Sequence, residues 1–269
     1  MLDGLGPVMH PSNEAIVAGG GMDSGEEGVR LPGGNVSGAV RAGDTVRRAV
    51  GPWTPAVHAL LGYLADRVPG VPRVLGHDDR GREVLSYLPG RVVDIDIELL
   101  SPGQIVSVAH WTRAFHDAVA AFSHPGPWRY FPVARATLIG HNDIAPYNVC
   151  FDGDELTGVF DWDLAGPSTP LLELAFIAWN CVPLWRDIGA ANAAVRLRLI
   201  AQAYGRLAAD EILHAVPARI QAMLDWIPAA ATAGDAGLAN LMTAGEPGRS
   251  SRSLAELVER IPAIERHLA

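Results

Sequence analysis

The feature that most restricts how this chain can fold is a change of hydrophobic period at Pro89-Gly90. Before it, apolar residues come in short alternating runs separated by turn residues, the pattern of half-buried strands. After it, they recur at i, i+3 and i+4 over long stretches, the pattern of amphipathic helices. Residues 29–31, 36–41 and 45–50 read as strands, divided by a Gly33-Gly34-Asn35 turn and an Ala42-Gly43-Asp44 turn. Val57, Leu60, Leu61 and Leu64 then share one helix face, with Thr54 placed to cap it and Pro55 at its first position. Residues 73–76 and 82–88 read as two more strands around the turn Asp78-Asp79-Arg80-Gly81. Strands with one helix among them make a small α+β lobe.

Beyond the Pro-Gly junction, Ser101-Pro102-Gly103-Gln104 reads as a capping box with Pro at the first helical position. Ile105, Val108, Thr112, Phe115, Val119 and Phe122 then line one face of a long helix. Residues 136–140 read as a short strand, and 149–151 and 157–160 as two strands around the turn Asp152-Gly153-Asp154. From Leu171 onward nearly everything is helical; Ser253-x-x-Glu256 announces the last helix, and Pro262 should kink it. The first 27 residues are rich in Gly and polar side chains without period and read as a mobile leader. The expected organisation is therefore a leader (1–27), a β-rich lobe ending in a hinge (28–90) and a larger, mostly helical lobe (91–269).

Composition removes several classes of function. Of 269 residues, 49% are hydrophobic, enough to build a sizeable core. Thirty acids against 21 bases leave a net charge of −9, the opposite of a nucleic-acid binder's basic footprint. No apolar run is long enough to span a membrane, and the N-terminus lacks the basic and apolar regions of a secretory signal, so a cytoplasmic compartment is expected. Cys150 and Cys181 show neither a C-x-x-C nor a metal-ligand spacing and read as core thiols. Nothing calls for an obligate protein partner. All 21 basic residues are Arg, so any task that usually falls to Lys must fall to Arg here.

The stretch that carries chemistry is His141-Asn142-Asp143-Ile144-Ala145-Pro146-Tyr147-Asn148, set between apolar runs; Phe160-Asp161-Trp162-Asp163 follows, with Asp161 eighteen residues after Asp143. Phosphoryl transfer needs a carboxylate facing an acceptor hydroxyl, and hard oxygen ligands that hold Mg2+ against nucleotide phosphates. An Asp, an Asn and a second Asp on strand-flanked loops supply such a set.

These motifs resemble the aminoglycoside phosphotransferase and choline kinase family, distant relatives of the protein kinases, over residues 29 to 245. The resemblance implies a bilobal protein-kinase-like α+β fold. It also implies transfer of the γ-phosphate of ATP or GTP, with Mg2+, to a hydroxyl of a small molecule, cationic antibiotics and metabolites included. Asp143 would be the catalytic base, Asn148 a metal ligand and Asp161 the principal metal ligand. Asp163 would be a second metal contact or a capping acid, and His141 a support for the loop or a proton-transfer group. Gly33-Gly34-Asn35-Val36-Ser37-Gly38 would turn over the phosphates, with Gly34 and Ser37 in contact. Ser86 and Leu88 would offer hinge backbone groups to the base. Relatives hold the α/β-phosphates with a strand Lys, and alternation puts Arg48 in that place if the Val46 face looks into the cleft, with Arg47 opposite. They often pair that Lys with a helix Glu, whereas residues 55–64 contain no acid and His58 is the only polar candidate. The two departures leave a second reading, a nucleotide-binding scaffold without turnover. Asp94, Asp96 and Glu98, with Asp187, Asp210, Glu211 and Asp225, could draw in a polycation or could be ordinary solvated surface.

Overall fold

The computed structural model describes residues 28–31 and 38–269. The expected leader, and Gly34 and Ser37 of the expected phosphate turn, lie outside the described residues.

The small lobe is one antiparallel sheet with a helix. Strands β1 (Val29–Arg30), β2 (Val40–Ala42), β3 (Thr45–Arg48), β4 (Val74–His77) and β5 (Glu83–Ser86) stand in the order β1-β2-β3-β5-β4. Strands β3 and β5 end at Arg48 and Ser86, short of the expected 50 and 88, because Val50, Tyr87 and Leu88 continue the apolar pattern into connecting loops. Strand β4 keeps its expected length one residue further on. Helix α1 (Thr54–Leu64) buries Val57, Leu60, Leu61 and Leu64, as its periodicity requires. Its N-cap is Trp53 rather than Thr54; the Thr54 hydroxyl accepts from the Gly51 N–H at 2.9 Å, which closes the preceding turn.

The chain leaves the sheet at residues 87–90 and enters the large lobe beside the Cys150 strand, where Arg91 and Phe151 pair. Gly90 has φ +142°, and a Cβ there would lie 2.5 Å from Thr157 Oγ1 and 2.8 Å from the Cys150 Cβ. Only Gly fits that crossing. Helix α2 (Pro102–Val119) starts at the expected capping box, with Gln104 N–H donating to Ser101 Oγ at 3.0 Å and Ser101 N–H to Gln104 Oε1 at 2.9 Å. Strand β6 (Leu138–Gly140) pairs with β9 (Gly166–Ser168), and between them β7 (Val149–Asp152) and β8 (Glu155–Val159) form a hairpin.

Helices α3 (Pro170–Cys181), α4 (Ala190–Tyr204), α5 (Ala209–Thr232), α6 (Ala236–Thr243) and α7 (Glu246–Leu268) complete the lobe, with α3 on α5 and α2 on α4. The last helix begins seven residues before the Ser253 motif. Gly245 at φ +75° and Pro247 in the first turn set its start, so Ser253 lies in the helix interior. Leu254, Leu257 and Ile264 form its buried face, while Val258 is exposed. One core runs from α1 through α2 and the β7–β8 hairpin to α5 and α7. Both cysteines are buried free thiols, and no helix among the described residues is long and apolar enough to cross a membrane.

Candidate active site

The two chemistry-bearing loops are tied together at their bases. The 141–148 loop leaves β6 and ends in a 3-10 turn at Pro146–Asn148, while Asp161 follows β8 and precedes a second 3-10 turn, Trp162–Leu164. Phe160 N–H donates to the Asn148 carbonyl at 3.0 Å. His141 joins the same knot, with Nε2 3.1 Å from the Phe160 carbonyl and Nδ1 accepting from the Asp143 N–H at 3.2 Å. Those partners place the ring proton on Nε2. Burial holds His141 below its ordinary pKa, and the ring packs edge-on against buried Trp162. His141 is fully buried behind the loop, with both nitrogens occupied, so it is placed to support Asp143 rather than to meet a substrate.

Two residues of these loops have left-handed backbones, Asn142 at φ +64° and Asp161 at φ +62°. Asn and Asp tolerate that region best among residues with a side chain, which suits their use at these turns. Asn142 is held by a 2.5 Å bond from its N–H to Glu173 Oε1, and by Nδ2 bonds to the Leu164 and Gly166 carbonyls at 3.1 and 3.2 Å. Buried Glu173 also meets His116 Nε2 at 2.8 Å, and His116 Nδ1 meets the Tyr204 hydroxyl at 2.9 Å. Burial alone would raise the Glu173 pKa, but the His116 contact and the Asn142 N–H outweigh it and hold the carboxyl low. At Gly140 a Cβ would sit 2.8 Å from the Glu173 carboxyl carbon, so the loop rests directly on this carboxylate.

A cavity of about 500 Å³ opens between the lobes. Val46, Arg48, Ser86 and Leu88 line it from the small lobe, and Asp143, Asn148, Asp161 and Asp163 from the large one. Asp143 Oδ1 accepts from the Tyr147 hydroxyl at 3.1 Å, and Oδ2 from Asn148 Nδ2 at 2.8 Å. Burial, reinforced by the charge of Asp161, pushes the Asp143 carboxyl up to about 8. Asn148 Nδ2 also donates to the Asp143 carbonyl at 3.0 Å, which leaves the amide oxygen as its ligand atom.

Arg48 projects from β3 on the Val46 face, as strand alternation requires, and meets three carboxylates. Its Nε donates to Glu83 Oε1 at 2.8 Å, its Nη1 to Asp161 Oδ1 at 2.9 Å and its Nη2 to Asp163. Burial opposes the Arg48 charge, but Asp163, Asp161 and Glu83 outweigh it and raise its pKa. The partner absent from α1 is supplied by strand β5: Glu83, 2% exposed, lies opposite Arg48 in the sheet register and also meets His58 Nε2 at 2.7 Å. His58, the polar residue of α1, thus completes an Arg-Glu-His chain. On the far side of Asp163, Arg129 Nη1 stands 3.6 Å away and is itself clamped by Asp235 through two 2.7 Å bonds.

At the hinge, Ser86 N–H donates to the Arg73 carbonyl at 2.9 Å, while the Arg73 N–H bonds to Ser86 Oγ at 2.8 Å instead of the Ser86 carbonyl. The Ser86 carbonyl is therefore not consumed by the β4 side. Asp161, Asp163 and the Asn148 amide offer hard oxygens on one wall, a donor set suited to Mg2+, although no group of three His, Cys, Asp or Glu side chains is gathered around a metal position among the described residues.

The model of the phosphotransferase enzyme family matches residues 127–209, which include both loops. The trifolitoxin immunity protein of Rhizobium leguminosarum bv. trifolii is 32% identical over 197 residues, covering 65% of this chain and 73% of that protein. The chain belongs to the phosphotransferase enzyme family. The fold agrees: an amicoumacin kinase solved with AMP-PNP and Ca2+ superposes with a TM-score of 0.60 at 13% identity, over 87% of each chain. A choline/ethanolamine kinase family protein from Mesorhizobium loti gives 0.55 at 19% identity over 91% of each chain. An aminoglycoside 2'-phosphotransferase in complex with GDP gives 0.53 at 16% identity, over 87% of this chain and 90% of that one. These are the bilobal protein-kinase-like folds that the period change and the two motifs imply.

Proposed function

We propose that the chain transfers the γ-phosphoryl group of ATP or GTP to a hydroxyl of a small molecule, with Mg2+ as the divalent ion. The observation that carries the reading is the convergence of Asp143, Asn148, Asp161, Asp163 and Arg48 on one interlobe cavity. In this reading the acceptor oxygen attacks the γ-phosphorus, the bond from that phosphorus to the bridging oxygen breaks, and the nucleoside diphosphate leaves. The hydroxyl proton goes to Asp143, whose carboxylate Tyr147 and Asn148 hold in place. His141 and Glu173 keep the loop in register from behind. Mg2+, held by Asp161 and Asn148 with Asp163 beside them, would supply electrostatic stabilisation of the phosphates. Arg48 would turn from its carboxylates to the α/β-phosphates, and Ser86 and Leu88 would meet the base through backbone groups.

The scaffold reading rested on a missing Lys and a missing helix Glu. Arg48 on the cavity wall, bonded to Glu83, supports the turnover reading. Following nucleoside diphosphate release from MgATP and MgGTP over a panel of alcohols tests the proposal. Phosphorylated product in the wild type and none in Asp143→Asn supports it; no product with any acceptor and no Mg2+-dependent nucleotide binding rejects it.

A further inference from the structure

Four arginines line the cavity, and three of them face carboxylates: Arg48, Arg91 with Glu98, and Arg129 with Asp235. The fourth, Arg219 on α5, is only 2% exposed and makes no ion pair or hydrogen bond with a carboxylate among the described residues, although its charge acts on the Asp143 carboxyl nearby. Its Nη2 donates to the Asn142 carbonyl at 3.0 Å, while Nε and Nη1 are buried and find no hydrogen-bond partner among the described residues. The guanidinium carbon lies 4.6 Å from the Phe176 ring centre and 5.2 Å from that of Tyr130, contacts that use none of its donors. The Tyr130 hydroxyl, on the same cavity, is also buried without a partner. A buried guanidinium with two idle N–H groups beside an idle phenol is costly unless a ligand completes it.

We propose that the acceptor carries a carboxylate close to the hydroxyl it presents to Asp143, and that Arg219 and Tyr130 receive this carboxylate. This rests on the phosphotransferase reading of the same cavity. Arg219 is fixed on the carbonyl of the residue immediately before Asp143, and its charge acts on the Asp143 carboxyl, so a carboxylate on Arg219 and a hydroxyl on Asp143 would lie close together, as in a short hydroxy acid. Around them Trp179, Met223, Trp226 and Ile227 supply an apolar lining that suits a large or aromatic remainder. Of the acids that might draw in a polycation, Asp94 and Asp96 line the cavity beside the hinge, while Asp187, Asp210, Glu211 and Asp225 do not line it. Transfer would yield the O-phosphorylated acid and nucleoside diphosphate, with the hydroxyl proton left on Asp143.

The test uses the full chain with four probes: phenyllactate, its methyl ester, the matching diol with a hydroxymethyl in place of the carboxylate, and kanamycin. Binding is followed by tryptophan fluorescence, and product formation with MgATP and MgGTP by mass spectrometry. Phenyllactate should bind about tenfold or more tighter than its ester or the diol. Arg219→Gln should erase that preference, Arg219→Lys should keep part of it, and Tyr130→Phe, which removes one hydroxyl, should reduce it, all with unchanged nucleotide Kd. In turnover, Arg219→Gln should raise KM for the acid and leave KM for the ester alone, a split that a merely structural arginine would not produce. Equal or tighter binding of ester, diol or kanamycin, no binding of phenyllactate, or a preference that survives in Arg219→Gln and Tyr130→Phe overturns the proposal. Acid-selective binding without phosphorylated product would instead keep the carboxylate site and reject the phosphotransfer reading.

Discussion

Replacing Glu83 by Gln should both destabilise the small lobe and loosen Arg48. Glu83 is 2% exposed and accepts two charged or chargeable donors, Arg48 Nε at 2.8 Å and His58 Nε2 at 2.7 Å. Gln keeps the shape and one acceptor but loses the charge, and it must turn its NH2 group toward one of those donors. One charge-assisted bond lost at a buried site costs about 1.5–3 kcal/mol. Arg48 keeps Asp161 and Asp163, so the larger loss expected for an orphaned buried charge does not apply. For a chain of this size the cost corresponds to a fall in Tm of roughly 3–5 °C. The pH dependence has a definite sign. Burial would raise the Glu83 pKa, but His58 and Arg48 outweigh it and hold the carboxyl below its ordinary value. Its stabilisation is therefore complete above the unfolded carboxyl value of about 4.3 and is lost as pH falls through the folded one. Calorimetric melting of metal-free wild type and Glu83→Gln should show a gap that is flat at neutral pH and closes in acid. A double-mutant cycle with His58→Ala should show coupling above about 0.5 kcal/mol. A Tm change within about one degree at neutral pH, or a gap that persists undiminished to about pH 3, would refute the idea that Glu83 supports Arg48.

Asp143→Asn should melt above the wild type in metal-free buffer near pH 8.5 and alongside it near pH 4. The Asp143 carboxyl is pushed up to about 8, so its stability is present at low pH and is lost as pH rises through that value; differential scanning fluorimetry across the range checks the sign. Arg48→Ala should weaken nucleotide Kd about ten- to a hundredfold, whereas Arg47→Ala, on the face away from the cavity, should change it little; isothermal titration of both variants decides the assignment. Glu173→Gln should lower kcat more than it changes KM, because it loosens the Asn142–Asp143 turn without touching the nucleotide wall. Glu173 is held low by His116 and the Asn142 N–H, so wild-type stability at this site is lost only as pH falls below the ordinary carboxyl range, and the variant should lack that loss.

The chemistry was legible where it is written in one short stretch. Asp143, Asn148, Asp161 and Asp163 lie within two loops joined by a hairpin, so their spacing alone announces that they converge. Arg48 followed from strand alternation, a local rule that the sheet obeys. Glu83, Arg129 and Arg219 carried no such signal, because each enters the site across a long sequence separation: Glu83 by lying opposite Arg48 in the β3–β5 register, Arg129 through Asp235, and Arg219 from α5 onto the Asn142 carbonyl. The alternating run that includes Glu83 could have raised it, since its register with β3 pairs an acid with Arg48. The last helix was misplaced for a different reason. A Ser-x-x-Glu spacing also arises inside helices, and the Gly245-Glu246-Pro247 start was the stronger signal.

The central claim is tested most directly by mixing MgATP or MgGTP with hydroxyl compounds and weighing the products for wild type and Asp143→Asn side by side, with nucleotide Kd measured on the same samples. A phosphorylated alcohol that forms only with wild type, while nucleotide Kd stays within about threefold between the two, is the result predicted for a carboxylate that takes the acceptor's proton. Equal product from Asp143→Asn, or a wild type that binds neither nucleotide in the presence of Mg2+, would contradict it.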